Sequence, residues 1–224
     1  MDCKDLKRVT VFAGHYGSGK TNIAVNYALN IARCGKSVEI ADLDIVNPYF
    51  RTKDAESILS ENGIRLVSSI MANTNVDTPA LPAEAYSVIH NKNSYAVIDV
   101  GGDDRGALAM GRYAPALLEE NNYDMLLVIN KYRYLTRNPE EVIEVMREIE
   151  EAAGMKFTGI VNNSNVGDET SAFDVLESEE FARRVSELCS LPIKFTAVLE
   201  ELVNELSGKL PNIMPIKIFV KQSF

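Results

Sequence analysis

Tryptophan is missing from the 224 residues, histidine occurs only twice, and the three cysteines, Cys3, Cys34 and Cys189, stand far apart and never as CxxC. An odd, scattered set excludes a disulfide framework and the paired-thiol spacing of zinc or iron–sulfur sites, so reduced structural thiols are expected. No apolar run approaches the ~18 residues of a membrane-spanning helix, and Met1 to Arg8 is too polar for a signal peptide, which points to the cytoplasm. Basic runs are absent as well. Lys and Arg number 23 against 32 Asp and Glu, a net charge of −9, and the nearest cluster, Lys131 to Arg137, is interrupted by tyrosines and Leu135. Such a field opposes nucleic acid and anionic lipid, so neither nucleic acid nor membrane is expected as a partner. There is no internal repeat, low-complexity tract or Pro/Gly/Ser linker, and the length fits one domain, residues 1–224.

What is present is an alternation of short β-rich apolar runs with longer helical patterns. Strands are expected at Val9 to Ala13, Val38 to Ala41, Ile64 to Ile70, Tyr95 to Ile98, Met125 to Ile129, Phe157 to Val161 and Ile193 to Val198, with an eighth at Ile216 to Val220. A first helix is expected from Gly19 to Arg33, stopping at Gly35, and another from the cap Asn138, with Pro139 first and Glu141 closing a capping box. Continuous rather than alternating apolar strands predict a doubly wound α/β fold, a mostly parallel sheet of seven or eight strands with helices on both faces. Ligands of such sheets sit at the carboxyl ends of the strands.

The segment GHYGSGKT, Gly14 to Thr21, matches GxxxxGK[ST] between the β-run VTVFA and an amphipathic helix. A chance match in a chain of this length has odds of roughly one in a hundred. In that placement the backbone N–H groups of Gly14, His15, Tyr16, Gly17, Ser18 and Gly19 curl towards a phosphate, with Lys20, Thr21 and Asn22 opening the helix behind them. Lys20 is suited to β- and γ-phosphate oxygens and the Thr21 hydroxyl to magnesium. The competing explanation is a Gly-rich turn with no ligand.

Hydrolysis also needs carboxylates at neighbouring strand ends, to hold Mg2+ and orient water. Asp42 and Asp44 end the second strand as IADLD, and Asp99 ends the fourth as YAVIDVGG, with Gly102 placed to offer its N–H to a γ-phosphate. Asp99 is the expected metal acid, although a turn cap is an alternative. Asp42 and Asp44 could equally be a solvated turn pair.

Together GHYGSGKTNIAVNYA, IADLDIVNPYFR and VIDVGG resemble, in content and order, the P-loop and two switch segments of the MinD/ParA group of deviant P-loop ATPases, which also includes the nitrogenase iron protein and arsenite or tail-anchored-protein ATPases. The resemblance implies an ATP-dependent, Mg2+-requiring hydrolase in which Lys20 holds phosphate, Asp44 positions water, and Thr21, Asp42 and Asp99 form the metal shell. It further implies switch segments at about Asp42 to Asp54 and Asp99 to Tyr113, a protein or metallocentre client, and a homodimer. The stretch GIVNNSN resembles the iron protein's adenine-contacting loop, making Asn163 the candidate base reader; an Asn pair after a strand is also a common turn signal. The group's signature lysine, one residue after the first glycine, is replaced by His15.

Other functions stay open. A small-molecule synthetase resembling dethiobiotin synthetase or the cobyrinic-acid amidases would need an acceptor pocket, for which the polar stretch Met71 to Pro82 is available. A GTPase is suggested by Asn130 and Lys131 but opposed by NKYR, which puts Arg133 where NKxD has an aspartate for guanine. A binding module without hydrolysis is opposed by Lys20, Thr21, Asp44 and Asp99 being present together.

Overall fold

The computed structural model describes residues 5–44, 55–68, 83–102 and 104–220. Eight strands, β1 (Val9–Ala13), β2 (Val38–Asp42), β3 (Arg65–Ser68), β4 (Tyr95–Asp99), β5 (Tyr123–Ile129), β6 (Gly159–Asn162), β7 (Ile193–Leu199) and β8 (Ile213–Ile216), form one sheet. Its order is β3-β2-β4-β1-β5-β6-β7-β8, and every recorded pairing is parallel. The expected parallel α/β architecture is therefore present. β1 lies between β4 and β5, where the strand order changes direction and an open parallel sheet leaves a crevice.

Alternation along each strand divides the core between the two faces. Val9, Val11, Ala13, Ile98, Met125, Leu127 and Ile129 contribute to one cluster. It packs under α3 (Ala83–His90), α5 (Ala114–Glu120), α6 (Pro139–Ala153) and α7 (Ala172–Cys189) through Val88, Leu117, Val142 and Val185. Phe12, Ile40, Val97, Leu126 and Val128 point the other way, against α1 (Lys20–Arg33) and α2 (Glu56–Glu61), with Ile23, Ala24, Ile31 and Leu59 as the helical contribution. Burial of both faces explains why the strand sequences are apolar throughout. The predicted capping box at Asn138 and Glu141 is formed, and Gly154 ends α6 in the left-handed conformation.

Three expectations are corrected. β8 lies earlier than Ile216 to Val220: Pro215 is accommodated because β8 is an edge strand pairing with β7 alone, and the segment after Ile216 is drawn onto α1 instead. There the Asn26 carboxamide bonds both the N–H and the C=O of Lys217 at 2.9 and 2.8 Å, and the Asn22 carboxamide bonds Phe219 N–H, Val220 N–H and Val220 C=O. The sixth strand starts at Gly159 and not Phe157, because the Phe157 N–H is taken by the Glu150 carboxylate at 3.0 Å. Cys34, expected as a reduced thiol, is disulfide-bonded; Cys189 is a free thiol. Scattered cysteines carry no spacing signal of a pairing.

Opposite the crevice, an ionic cluster ties the lower ends of the central strands. Arg8 is buried at the start of β1 and grips the Glu120 carboxylate with two N–H groups, one at 2.6 Å, while also donating to the Ile89 carbonyl at 2.6 Å and the Asn91 carbonyl at 3.1 Å. Lys92 completes the group from the surface. The Arg8 hydrogen bond, opposed by burial and helped by Lys92, pulls the Glu120 pKa from 4.5 to about 2. A pKa lowered by folding stabilises the protein above the unfolded value, so this contribution is complete above pH 4.5 and drains away as pH falls towards 2. Glu120→Gln is expected to cost about 3 kcal/mol at neutral pH, since it strands a buried guanidinium. In urea unfolding the difference from wild type should shrink between pH 7 and pH 3, and an unchanged difference would rule out this linkage.

Candidate functional site

At the carboxyl end of β1 the chain enters the Gly14 to Gly19 loop with three glycines at positive φ: Gly14 at 152°, Gly17 at 79° and Gly19 at 86°. A Cβ on Gly14 would stand 2.5 Å from the Val128 carbonyl of β5, and one on Gly19 would stand 2.3 Å from Asn163 Nδ2. Both positions therefore exclude side chains on conformational and steric grounds. Ser18 N–H bonds the His15 carbonyl at 3.1 Å, and α1 begins with Ile23 N–H on Gly19 C=O. Lys20 is buried, and its ammonium donates to the His15 carbonyl at 3.2 Å, which folds the cation back over the loop it follows.

The expected acids arrive at the neighbouring strand ends. Asp42 and Asp99 are direct register partners across β2 and β4, both buried, and Asp42 accepts from the Asp44 N–H at 2.9 Å. The Asp44 carboxylate stands 3.2 Å from where Gly101 would carry a Cβ. Gly102 touches the P-loop itself: its Cβ would lie 2.6 Å from Tyr16 Cα and 2.9 Å from the Lys20 ammonium. The end of β4 thus meets the lysine of the β1 loop. No three His, Cys, Asp or Glu side chains form a metal-holding group among the described residues. Thr21, Asp42 and Asp99 carry oxygen donors, the ligand type that Mg2+ accepts. Most of the first switch, residues 45–54, and the Met71 to Pro82 stretch lie outside the described residues.

On the other side of the loop opens a cavity of about 540 Å³, walled by Gly17, Gly19 and Asn22, by Tyr132 and Arg133 after β5, by the 165–169 turn after β6, and by Ile216, Ile218 and Val220 at the end of the chain. Asn163 is on this wall, but its carboxamide is already engaged: Nδ2 donates to the Ser18 carbonyl at 2.7 Å and Oδ1 accepts from Asn165 at 3.1 Å. The same holds for Asn130, which bonds Tyr132 N–H and the Asn165 carbonyl. Asn22 is spent on the C-terminal segment. The asparagines expected near a nucleotide therefore build the wall and fasten the P-loop. His15 turns its Nδ1 to the Tyr16 carbonyl at 2.8 Å, and Tyr16 is 56% exposed.

Arg133 and the Ile216 to Val220 wall are the parts of the site that motif reasoning missed. The second left a trace in the sequence, since Asn22 and Asn26 put two carboxamides four residues apart on one face of the first helix, away from its apolar face.

A family model described as the CobQ/CobB/MinD/ParA nucleotide binding domain matches residues 9–175, three quarters of the chain. No curated protein matches. Among solved structures, FtsY from Mycoplasma mycoides is similar with a TM-score of 0.59 and 23% identity over 87% of this chain and 62% of that one. FtsY from Thermotoga maritima gives 0.59 and 19% over 87% and 63%, and the signal recognition particle 54 kDa protein from Aeropyrum pernix, in complex with GDP, gives 0.57 and 18% over 88% and 42%. At these identities the likeness is one of fold, and the chain spans about three fifths of the FtsY structures.

The Asn163 tether makes a stability prediction. Asn163→Ala leaves the buried Ser18 carbonyl without its donor and is expected to cost about 1–3 kcal/mol in denaturant unfolding. Asn163→Asp, which opposes a carboxylate to that carbonyl, should cost more, and equal stability of all three proteins would show that the tether is idle.

Proposed function

Because this chain belongs to the CobQ/CobB/MinD/ParA nucleotide-binding family, we propose that this P-loop NTPase hydrolyses ATP slowly in a Mg2+-dependent way and uses the nucleotide state to change its two switch segments for a protein or metallocentre client. The observation carrying this reading is the meeting of Lys20 and Gly102, which sets a phosphate-binding cation and a second-switch backbone donor against one another at the mouth of a glycine loop. A triphosphate seated in the loop would draw the Lys20 ammonium onto its β- and γ-oxygens and bring its terminal phosphate towards the Gly102 N–H, so that phosphate is the group whose loss both would sense.

In this scheme the loop N–H groups and Lys20 bind the polyphosphate, and Asp44, beside Gly101, orients the attacking water. Thr21, Asp42 and Asp99 would hold Mg2+, which supplies charge neutralisation to the phosphate oxygens. Asn163 acts by fixing the loop through Ser18 rather than by reading adenine, which leaves base recognition to the 165–169 turn and the apolar C-terminal wall. His15, with its ring on its own loop, gives no trans cation, so a homodimer would have to complete its sites differently. The synthetase alternative rests on residues outside the described part of the chain.

Steady-state hydrolysis of ATP and GTP with magnesium, together with light scattering in ADP and in a non-hydrolysable ATP analogue, tests chemistry and assembly at once. ATP-selective turnover is expected. Lys20→Ala should abolish nucleotide binding, whereas Asp44→Asn should bind normally and lose at least about 100-fold in kcat, within the range for removal of an acid–base group. Normal turnover in Asp44→Asn would overturn its role, and preference for GTP would overturn the assignment of ATP.

A further inference from the structure

The loop after β5 begins with two cations, Lys131 and Arg133, and aims them in different directions. Lys131 is paired with Glu177 of α7 at 2.9 Å. Tyr132 is pinned beside it, its hydroxyl donating to the Asp174 carbonyl at 2.9 Å and its N–H to Asn130 Oδ1 at 3.0 Å. With those two residues anchored towards α7, Arg133 is turned the other way, over the glycine loop. Its Cζ and Nε lie 3.2 Å from the position a Cβ would take on Gly17, and the stem at Cδ lies 3.4 Å from it. Gly17 thus serves two ends: its φ of 79° suits glycine, and its missing side chain leaves the seat on which the guanidinium rests.

The position is polar in a directional sense. Arg133 and Gly17 wall the end of the 540 Å³ cavity nearest the phosphate loop, while the turn bearing Asp168 and Glu169 contributes acidic residues to the same cavity. A cation at the glycine loop and carboxylates on the 165–169 turn favour a ligand with its anionic part against Gly17. Burial pushes the Arg133 pKa down and the neighbouring Tyr16 partly offsets it, so the guanidinium is held in a partly dehydrated setting, where a charge-assisted bond to phosphate is strong.

We propose that Arg133 is a phosphate-binding residue of the nucleotide site, a cation supplied within the chain from the loop after β5, which clamps the polyphosphate from the side opposite Lys20. The proposal rests on the nucleotide-binding reading above and adds to it a residue outside the P-loop motif. A planar guanidinium can offer two N–H groups to one phosphate, which the shorter His15 ring, turned onto Tyr16, does not.

Titration calorimetry with ADP and with a non-hydrolysable ATP analogue separates the two levels of inference. Binding by wild type tests the nucleotide site, and its absence would defeat that reading before Arg133 is considered. With wild-type binding in hand, Arg133→Ala and Arg133→Gln should each weaken both nucleotides about ten-fold or more, and Arg133→Lys should recover part of the loss because it restores the charge but not the fork of two N–H groups. Arg133→Gln keeps the stem over Gly17, so its loss cannot come from unfilled space, and matching thermal unfolding midpoints would exclude a folding defect. Affinities within two-fold of wild type, or an equal loss in the lysine variant as expected of stacking on a base, would overturn the phosphate assignment.

Discussion

The bond from the Asn163 carboxamide to the Ser18 carbonyl at 2.7 Å is the side-chain contact that bears most directly on the shape of the loop between β1 and α1. Left-handed glycines permit the curl but do not enforce it, because glycine gains conformational freedom from the same property. A buried carboxamide from β6, fixed in its turn by Asn165, supplies the enforcement. The Lys20 bond to the His15 carbonyl closes the other side. The sheet order matters here: β6 lies beyond β5, next to β1 on that side, so its outgoing loop reaches the glycine loop without crossing the strand between.

The fold could be read from the sequence because its signals are local and redundant. Apolar runs of four to seven residues, a capping box at Asn138 and Gly35 after the first helix each point to the same element. The placement of the glycine loop after β1 and of Asp42, Asp44 and Asp99 at neighbouring strand ends was equally legible, since residue type and spacing are fixed there. Partner choice was not. Asn163 and Asn22 were recognised as near the site, but whether a carboxamide faces a ligand or a backbone depends on which segment the topology brings within 3 Å, and periodicity is blind to that. The misplacement of β8 has the same origin, because Lys217 to Val220 satisfies its backbone on Asn22 and Asn26 of α1 rather than on a neighbouring strand.

That clip gives α1 two duties. Its first two turns follow the phosphate loop and, through Asn22 and Asn26, hold the segment whose Ile218 and Val220 wall the cavity. Each bond spans nearly 200 residues of chain, so it forms late in terms of loop closure and depends on the sheet being assembled. Once formed, it makes the phosphate cradle and the cavity wall parts of one body, and a shift of α1 would move both.

The two flanks of the glycine loop are therefore held by different forces. Towards β5, β6 and the C-terminal segment the contacts are side-chain hydrogen bonds, from Asn163, Asn130, Asn22 and Asn26, whose geometry tolerates little sliding. Towards β2 and β4, hydrogen bonds such as Leu43 N–H to the Asp99 carbonyl at 2.8 Å and Asp44 N–H to Asp42 at 2.9 Å are joined by close approaches of glycine: Gly102 on Tyr16 and Lys20, Gly101 on Asp44, and Gly106 on Gly101. On that flank glycine removes the side chains that would interlock the strand ends with the loop. Under the proposed function, a response to the terminal phosphate is therefore expected at the β2 and β4 flank, where the acid-bearing strand ends meet Lys20 through Gly102.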